Sequence, residues 1–519
     1  MMNSRSTRSP WRLSGLLTMV LSLTMLLPAQ AQDLLDAFES SVTEFTLDNG
    51  LHFIIVERPE APVVTFYTYA DVGSVDEVKG ITGMAHMFEH MAFKGTTTVG
   101  TNDIDGELAA MGRVDALYTD IKREEQQLNP DEARLAELRE AFAAAQEEAQ
   151  SYMASGEFDQ AVERNGGTGM NASTFYDRTD YFYSLPANKA ELWFSLESDR
   201  FLNPVLREFF IERDVIMEER RQRTESNPFG RLFEEFLSTA FKAHPYGEPV
   251  IGHMSDIQSY TRDEAEAFFQ KYYGASNLTI AIVGAIEPAA AQEMAETYFG
   301  RLPAGEKPGP VETVEPPQLG ERRVIIEEQS QPLLMMGWHK GSVNHPDDPV
   351  FEIMADILST GRTSRFYTGL VEEQKALQAQ ALNSLAGFNK YPNLFFLFAV
   401  TSQGVEPTAL EADITALIDE IKVNGVTEDE LQRAKTRARA NLVRELQSNS
   451  GVAGQLAYYQ VVTGDWRNLF NRLDALEAVT NDDIMRVANE TFTRRNRTVA
   501  MIQTAPPEMP AVGDASGDQ

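Results

Sequence analysis

The chain has 519 residues, with 45 Lys and Arg against 78 Asp and Glu, a net charge of −33, 43% hydrophobic residues and no cysteine. The length accommodates about two to four domains, and the hydrophobic fraction excludes wholesale disorder. The acidity argues against a nucleic-acid binder, and the lack of cysteine excludes disulfides, thiol nucleophiles, Cys-ligated zinc and iron–sulfur clusters, so any metal must be held by His and carboxylates.

Residues 1–31 carry Arg5, Arg8 and Arg12, then the apolar run Leu16 to Leu27, then Pro28-Ala29-Gln30-Ala31. This is the layout of a secretory signal peptide cleaved after Ala31; the run is shorter than the about 20 residues a membrane span needs. Its removal takes the net charge to −36. The expected location is periplasmic or secreted, with no membrane span after signal removal and no nucleic-acid partner. The first domain is expected over 32–302. It opens on a hairpin, Glu44 to Leu47 and Leu51 to Val56 around Asp48-Asn49-Gly50, followed by a strand over Val63 to Tyr69 and a helix from near Ile81. Between about 118 and 160 the composition turns to Glu, Gln, Ala and Leu, with Asn129-Pro130-Asp131 as a helix start and Leu135, Leu138 and Phe142 at helical spacing, which predicts an inserted helical hairpin or arm.

Residues 303–321 are rich in Pro and Gly and read as a linker. Beyond it, Arg323 to Glu327, Leu333 to Trp338 and a helix from Asp348 through Ile357 repeat the strand, strand, helix order of the start. The second domain, 322–505, is therefore expected to be a diverged copy of the first, and 506–519 a disordered tail.

The chemistry centres on His86-Met87-Phe88-Glu89-His90, an H-x-x-E-H in a chain with 7 His. Residues four apart share a helix face, so His86 and His90 can present nitrogens to one metal while Glu89 reaches a water at that metal. A third ligand is available in Glu212-Arg213-Asp214-Val215-Ile216-Met217-Glu218-Glu219. Glu212 and Glu219, seven apart, fall within about 20° of one face, and Glu218 points about 100° away. One of the pair can ligate while the other holds an imidazole by its second nitrogen, and periodicity leaves open which.

On these residues the chain resembles the M16 metallopeptidases, the inverted-zinc-motif group that includes pitrilysin, insulin-degrading enzyme and the mitochondrial processing peptidase. The resemblance runs through Asn49-Gly50-Leu51, Gly73-Ser74, the His motif with Met91-Ala92-Phe93-Lys94-Gly95-Thr96, and Asn171-Ala172-Ser173-Thr174 with Asp177, Thr179 and Tyr181. It continues through Glu197-Ser198-Asp199-Arg200, Glu212 and Glu219, His244-Pro245-Tyr246-Gly247 and Gly361-Arg362-Thr363-Ser364-Arg365-Phe366-Tyr367. It implies an α/β fold, an α+β sandwich duplicated in two homologous halves, each a mostly antiparallel sheet covered by helices. It also implies one Zn2+ per chain held by His86, His90 and Glu219, with Glu89 as general base, Glu212 behind a ligating imidazole, and Asn171 and Ala172 on an edge strand that pairs with an extended peptide. The remaining histidines, His52, His244, His253, His339 and His345, are expected to be structural.

Two departures accompany it. His90 and Glu219 lie 129 positions apart, an excess that matches the insertion, and where the family's active members carry an Arg and a Tyr that grip substrate, this chain has Val371 and Gln378. The expected function is an exported zinc endopeptidase hydrolysing peptides or small unfolded polypeptides with zinc-activated water. It is expected to work as a homo- or heterodimer with another M16-like chain that supplies the grip. The alternatives are a non-catalytic assembly subunit, which the complete motif disfavours, and an acidic metal-sequestering protein, which rests on the acidity alone.

Overall fold

A computed structural model describes residues 38–385 and 390–504; the expected signal peptide and tail lie outside them. The first half contains strands β1 (Val42–Thr46), β2 (His52–Glu57), β3 (Val63–Ala70), β4 (Thr168–Thr174), β5 (Thr179–Pro186) and β6 (Leu278–Gly284). Its helices are α1 (Met84–Met91), α2 (Ile104–Glu125), α3 (Glu132–Ser151), α4 (Glu157–Arg164), α5 (Ala190–Leu202), α6 (Phe209–Arg220), α7 (Pro228–Ala240), α8 (Met254–Ser259), α9 (Arg262–Tyr272) and α10 (Pro288–Phe299). The second half has β7 (Arg322–Glu328), β8 (Leu333–Lys340), β9 (Ala376–Leu382), β10 (Asn393–Thr401) and β11 (Arg497–Thr504). With them are α11 (Asp348–Ser359), α12 (Pro407–Asn424), α13 (Glu428–Glu445), α14 (Asn449–Thr463), α15 (Asn468–Ala478) and α16 (Asn481–Thr491). Residues 303–319 between the halves carry no helix or strand.

The sheets have the orders β1-β2-β6-β3-β5-β4 and β7-β11-β8-β10-β9. In each, the outermost strand of the repeat runs parallel to the last strand in sequence, β2 to β6 and β7 to β11, and the other pairs are antiparallel. The repeat read from strand and helix order is thus a true architectural duplication, two α/β sandwiches of mixed sheet and helices, with β1 added to the first by the Asp48-Asn49-Gly50 hairpin. Asn49 clamps that hairpin by donating to the Phe299 and Leu302 carbonyls at 2.8 and 3.1 Å.

Strand β2 is apolar on both faces, and the structure uses both. Phe53 and Ile55 join Val64, Phe66, Ile280 and Ile282 under the first half's own helices. Ile54 and Val56, with Tyr69, Ala281 and Val283, are covered by Val452, Ala453, Leu456 and Ala457 of α14, from the second half. The converse holds for the second sheet. Its outer face, Leu333, Met335, Leu394, Phe396, Ala500 and Ile502, is covered by Leu232, Phe236, Leu237 and Ala240 of α7, from the first half. Each half therefore completes the other's sandwich with the helix that follows α6 or α13. Seating α7 requires Gly337, where a Cβ would lie 2.7 Å from Phe236 Cζ.

The insertion is a helical hairpin, as expected, but α2 already begins at Ile104, and Asp131 caps α3 by accepting from the Ala133 and Arg134 amides. It does not stand off as an arm. Tyr118 and Phe142 pack on Phe210 of α6 with ring centroids 4.6 and 5.3 Å away, and Tyr118 Oη and Lys122 Nζ donate to the Gln258 and Ser259 carbonyls at 2.7 Å each. Leu135 and Leu138 are buried within the hairpin itself.

Candidate metal centre

Helix α1 starts three residues later than expected, at Met84, because Gly83 adopts a left-handed φ of 90° directly against Ile251 and Gly252, where a Cβ would meet the Ile251 carbonyl at 2.4 Å. The buried Glu77 carboxylate accepts from the Gly83 and Ala85 amides at 2.6 and 2.8 Å and so anchors the N-terminus of the helix. Met84, Met87, Phe88 and Met91 fill the core side, which turns His86, Glu89 and His90 to the opposite face.

Helix α6 crosses α1 and brings the acids. Glu219 Oε2 lies 3.4 Å from His90 Nε2 and 3.7 Å from His86 Nε2. Glu212 Oε2 lies 3.2 Å from His90 Nδ1, and Glu218 points to solvent and pairs with Arg221. The two carboxylates that periodicity left equivalent are thus distinguished by the crossing: Glu219 meets the Nε2 atoms of both imidazoles, and Glu212 meets Nδ1 of His90. Donor atoms of His86, His90 and Glu219 all fall within 4.8 Å of one another. Around a tetrahedral zinc with bonds of about 2.0–2.2 Å, donors sit about 3.3–3.6 Å apart, and the two separations from Glu219, 3.4 and 3.7 Å, are close to that range.

Burial pushes His86 down to about 4 against the pull of Glu219, leaving a neutral imidazole with a free lone pair. Burial acts on His90 in the same sense, but hydrogen bonds to Glu212 and Glu219 outweigh it and lift that residue to about 9. Glu89 is pushed up by burial, with Thr174 and His90 nearby opposing the shift.

These residues open onto a cleft of about 810 Å3 lined by Ala172 to Tyr176 of the β4 segment, by Arg223 and Thr224, and by the apolar wall Phe229, Phe233, Leu237, Val250 and Ile251. All of its lining comes from the first half. Among the described residues β4 is the terminal strand of its sheet, pairing with β5, with buried Ala172 facing the cleft and Asn171 exposed. Val371 and Gln378 lie away from this lining, at the end of a π-helical segment (Tyr367–Val371) and on β9 of the second half. The other histidines have structural partners. His52 bonds to Thr46, His244 Nδ1 accepts from the Tyr246 amide, His253 bonds to Glu248, His339 to the Ala240 carbonyl, and His345 accepts from the Asp347 amide.

Residues that sequence reasoning passed over form the support. Arg207, fully buried, donates to Glu107 of α2 and to the carbonyls of Lys94, Thr96 and Val99, the loop that leaves α1. Lys94 Nζ reaches Glu208 at 2.9 Å and Glu212 at 2.5 Å. Arg223, one turn beyond Glu219, pairs with its Oε1 at 2.7 Å. Lys94 was visible within the motif string, but nothing in its spacing tells which acids a side chain beyond the helix end will meet.

Comparison with known proteins agrees with this architecture. The family model described as insulinase, peptidase family M16, matches residues 52–143 and 143–253, and that of the peptidase M16 inactive domain matches 259–438. The chain is 29% identical over 501 residues to the zinc protease PqqE of Helicobacter pylori, covering 95% of this chain and 98% of that one. It is similar in structure to a crystallised protease from Helicobacter pylori, with a TM-score of 0.74, 27% identity, and coverage of 90% of this chain and 99% of that one. The periplasmic protease PqqL of Escherichia coli shares the fold at a TM-score of 0.64 and 17% identity, over 89% of this chain and 47% of that chain. No helix among the described residues is long and apolar enough to cross a membrane. With a His/His/Glu cluster in the first half and an inactive-type second half, the chain belongs to the M16 family of zinc metallopeptidases.

Proposed function

We propose that the chain is an exported endopeptidase that hydrolyses extended peptides or small unfolded polypeptides, with one Zn2+ held by His86, His90 and Glu219. The observation that carries this reading is the convergence of those three side chains, with Glu89, at the floor of one cleft beside an unpaired strand edge. A zinc ion bound there supplies a Lewis acid that polarises the scissile carbonyl and acidifies water. Glu89, on the same face of α1 and raised by burial, takes the proton of the attacking water and passes it to the leaving amine, so no covalent intermediate is needed. Glu212 holds His90 by Nδ1 and thereby keeps Nε2 directed inward. The β4 edge, through the backbone of Asn171 and Ala172, adds the substrate as a further strand, and the wall of Phe229, Phe233 and Leu237 receives its apolar side chains.

Export rests on the layout of residues 1–31, and the domain limits on the repeat and the linker. The cleft is lined by the first half alone, and Val371 and Gln378 replace the grip residues, which supports a second M16-like chain closing the chamber. Zinc content and peptide cleavage of the wild type and Glu89→Gln test the site: cleavage lost by orders of magnitude with zinc retained is expected, and undiminished cleavage refutes the base. Full-rate cleavage by the purified chain as a homodimer refutes the heteromeric partner.

A further inference from the structure

Three residues past the end of α1 the chain sends one side chain back across to α6. Lys94 Nζ sits between two carboxylates, 2.9 Å from Glu208 Oε2 and 2.5 Å from Glu212 Oε1. The other oxygen of Glu212 lies 3.2 Å from His90 Nδ1. One carboxylate thus spans the lysine and the imidazole, and with both oxygens engaged it has no freedom to rotate.

The lysine is itself held from both sides. Its carbonyl accepts from Arg207 Nη1 at 2.7 Å, and the same guanidinium fixes the Val99 and Thr96 carbonyls at 3.1 and 2.8 Å. Residue 208, between Arg207 and α6, has a φ of 58°, a left-handed backbone that costs a residue with a side chain about 1–2 kcal/mol. It is one of two such non-glycine residues among those described. Strain of this kind persists only where surrounding contacts enforce it, and here they are the buried guanidinium of the preceding residue and the ammonium on Glu208's own side chain. Lys94 and Arg207 therefore clasp each other's segments: the arginine side chain holds the lysine's main chain, and the lysine side chain holds the two acids at the start of α6.

We propose that Lys94 is a positioning residue for the metal centre, acting through Glu212 to fix the tautomer and orientation of His90. It rests on the ligand assignment given above. With Glu212 locked as an acceptor, Nδ1 of His90 keeps its proton, and Nε2, which faces Glu219 and His86, is the nitrogen left to give its lone pair to a metal. The lysine also balances two carboxylates that would otherwise draw the imidazole or the ion out of place.

The test compares wild type, Lys94→Met, Lys94→Arg, Glu212→Gln and the Lys94→Met/Glu212→Gln double variant. Zinc affinity is measured by chelator competition and the melting temperature of the metal-free protein by calorimetry. Lys94→Met is expected to weaken zinc binding about 10–100-fold with the metal-free melting temperature held. Lys94→Arg is expected to restore most of the affinity. In the Glu212→Gln background the lysine substitution is expected to add little, because both act along one path. Wild-type affinity in Lys94→Met, an Arg variant no better than Met, or losses that multiply in the double variant would each overturn the proposal. A wild type that binds no zinc would instead refute the ligand assignment itself.

Discussion

Glu107 and Arg207 form an ion pair whose side chains are 0 and 2% exposed, joining the helix that leads into the insertion to the loop that leaves α1. The guanidinium makes five hydrogen bonds, two to Glu107 and three to the carbonyls of Lys94, Thr96 and Val99. Replacing Glu107 by Ala leaves a buried cation facing only carbonyl dipoles, a loss of about 3–5 kcal/mol. For an isolated buried pair, replacing both partners by apolar residues is close to neutral. Here it is not expected to be, because Glu107→Leu with Arg207→Met strands the Lys94 and Thr96 carbonyls, at about 1 kcal/mol each and about 2 kcal/mol in all, while Val99 keeps the Thr96 amide. Both variants should therefore lose stability, the single one more, and they should lose it locally. Hydrogen–deuterium exchange of segments 92–104 and 206–214 reads the opening free energy there without requiring the whole chain to unfold in one step. Protection in Glu107→Ala equal to wild type, or full recovery in the double variant, would show that Arg207 does not organise this loop.

Two further outcomes follow from other sites. Asp76 is pushed up to about 7 by burial, opposed by the Gly73 amide its carboxylate accepts from and by Lys390, and reinforced by Asp71 and Asp177; Glu77, Tyr272 and Tyr391 lie close by. A carboxyl raised in the fold stabilises it most below about pH 4 and loses that contribution as pH rises through about 7. Asp76→Asn, neutral throughout, should gain on wild type between pH 4 and 8 by up to about 4 kcal/mol; denaturant unfolding across that range checks it, and a pH-independent difference refutes it. Phe236, fully buried with its ring centroid 5.3 Å from that of Phe396, joins α7 to the second sheet. Phe236→Ala should cost about 3–5 kcal/mol and speed proteolysis within 303–320, whereas unchanged cleavage there would mean that α7 does not hold the halves together.

The shared face of the H-x-x-E-H string was legible because it is local. The 3.6-residue period alone turns His86, Glu89 and His90 away from Met84, Met87, Phe88 and Met91, whatever the rest of the chain does. The edge position of β4 and the duplication were legible too, through motif and element order. Helix limits were less so: α1 begins at Met84 because of a contact between Gly83 and the distant Ile251, and α2 runs unbroken across the compositional border of the insertion.

What the amino-acid order determined by itself is the helix face shared by His86, Glu89 and His90, an acidic helix with Glu212 and Glu219 on one face, and two copies of one strand and helix plan. Tertiary structure decided how these are used. Periodicity places Glu212 and Glu219 on one face, and only the crossing of α6 over α1 sends the second to the Nε2 atoms and the first to Nδ1. The apolar faces of α7 and α14 state that each must be buried, but an apolar stripe carries no address, and it is the packing of the two halves that lays each on the other's sheet. The clasp of Lys94, Arg207, Glu107 and Glu208 joins residues up to 114 positions apart, at distances that no spacing in the sequence encodes.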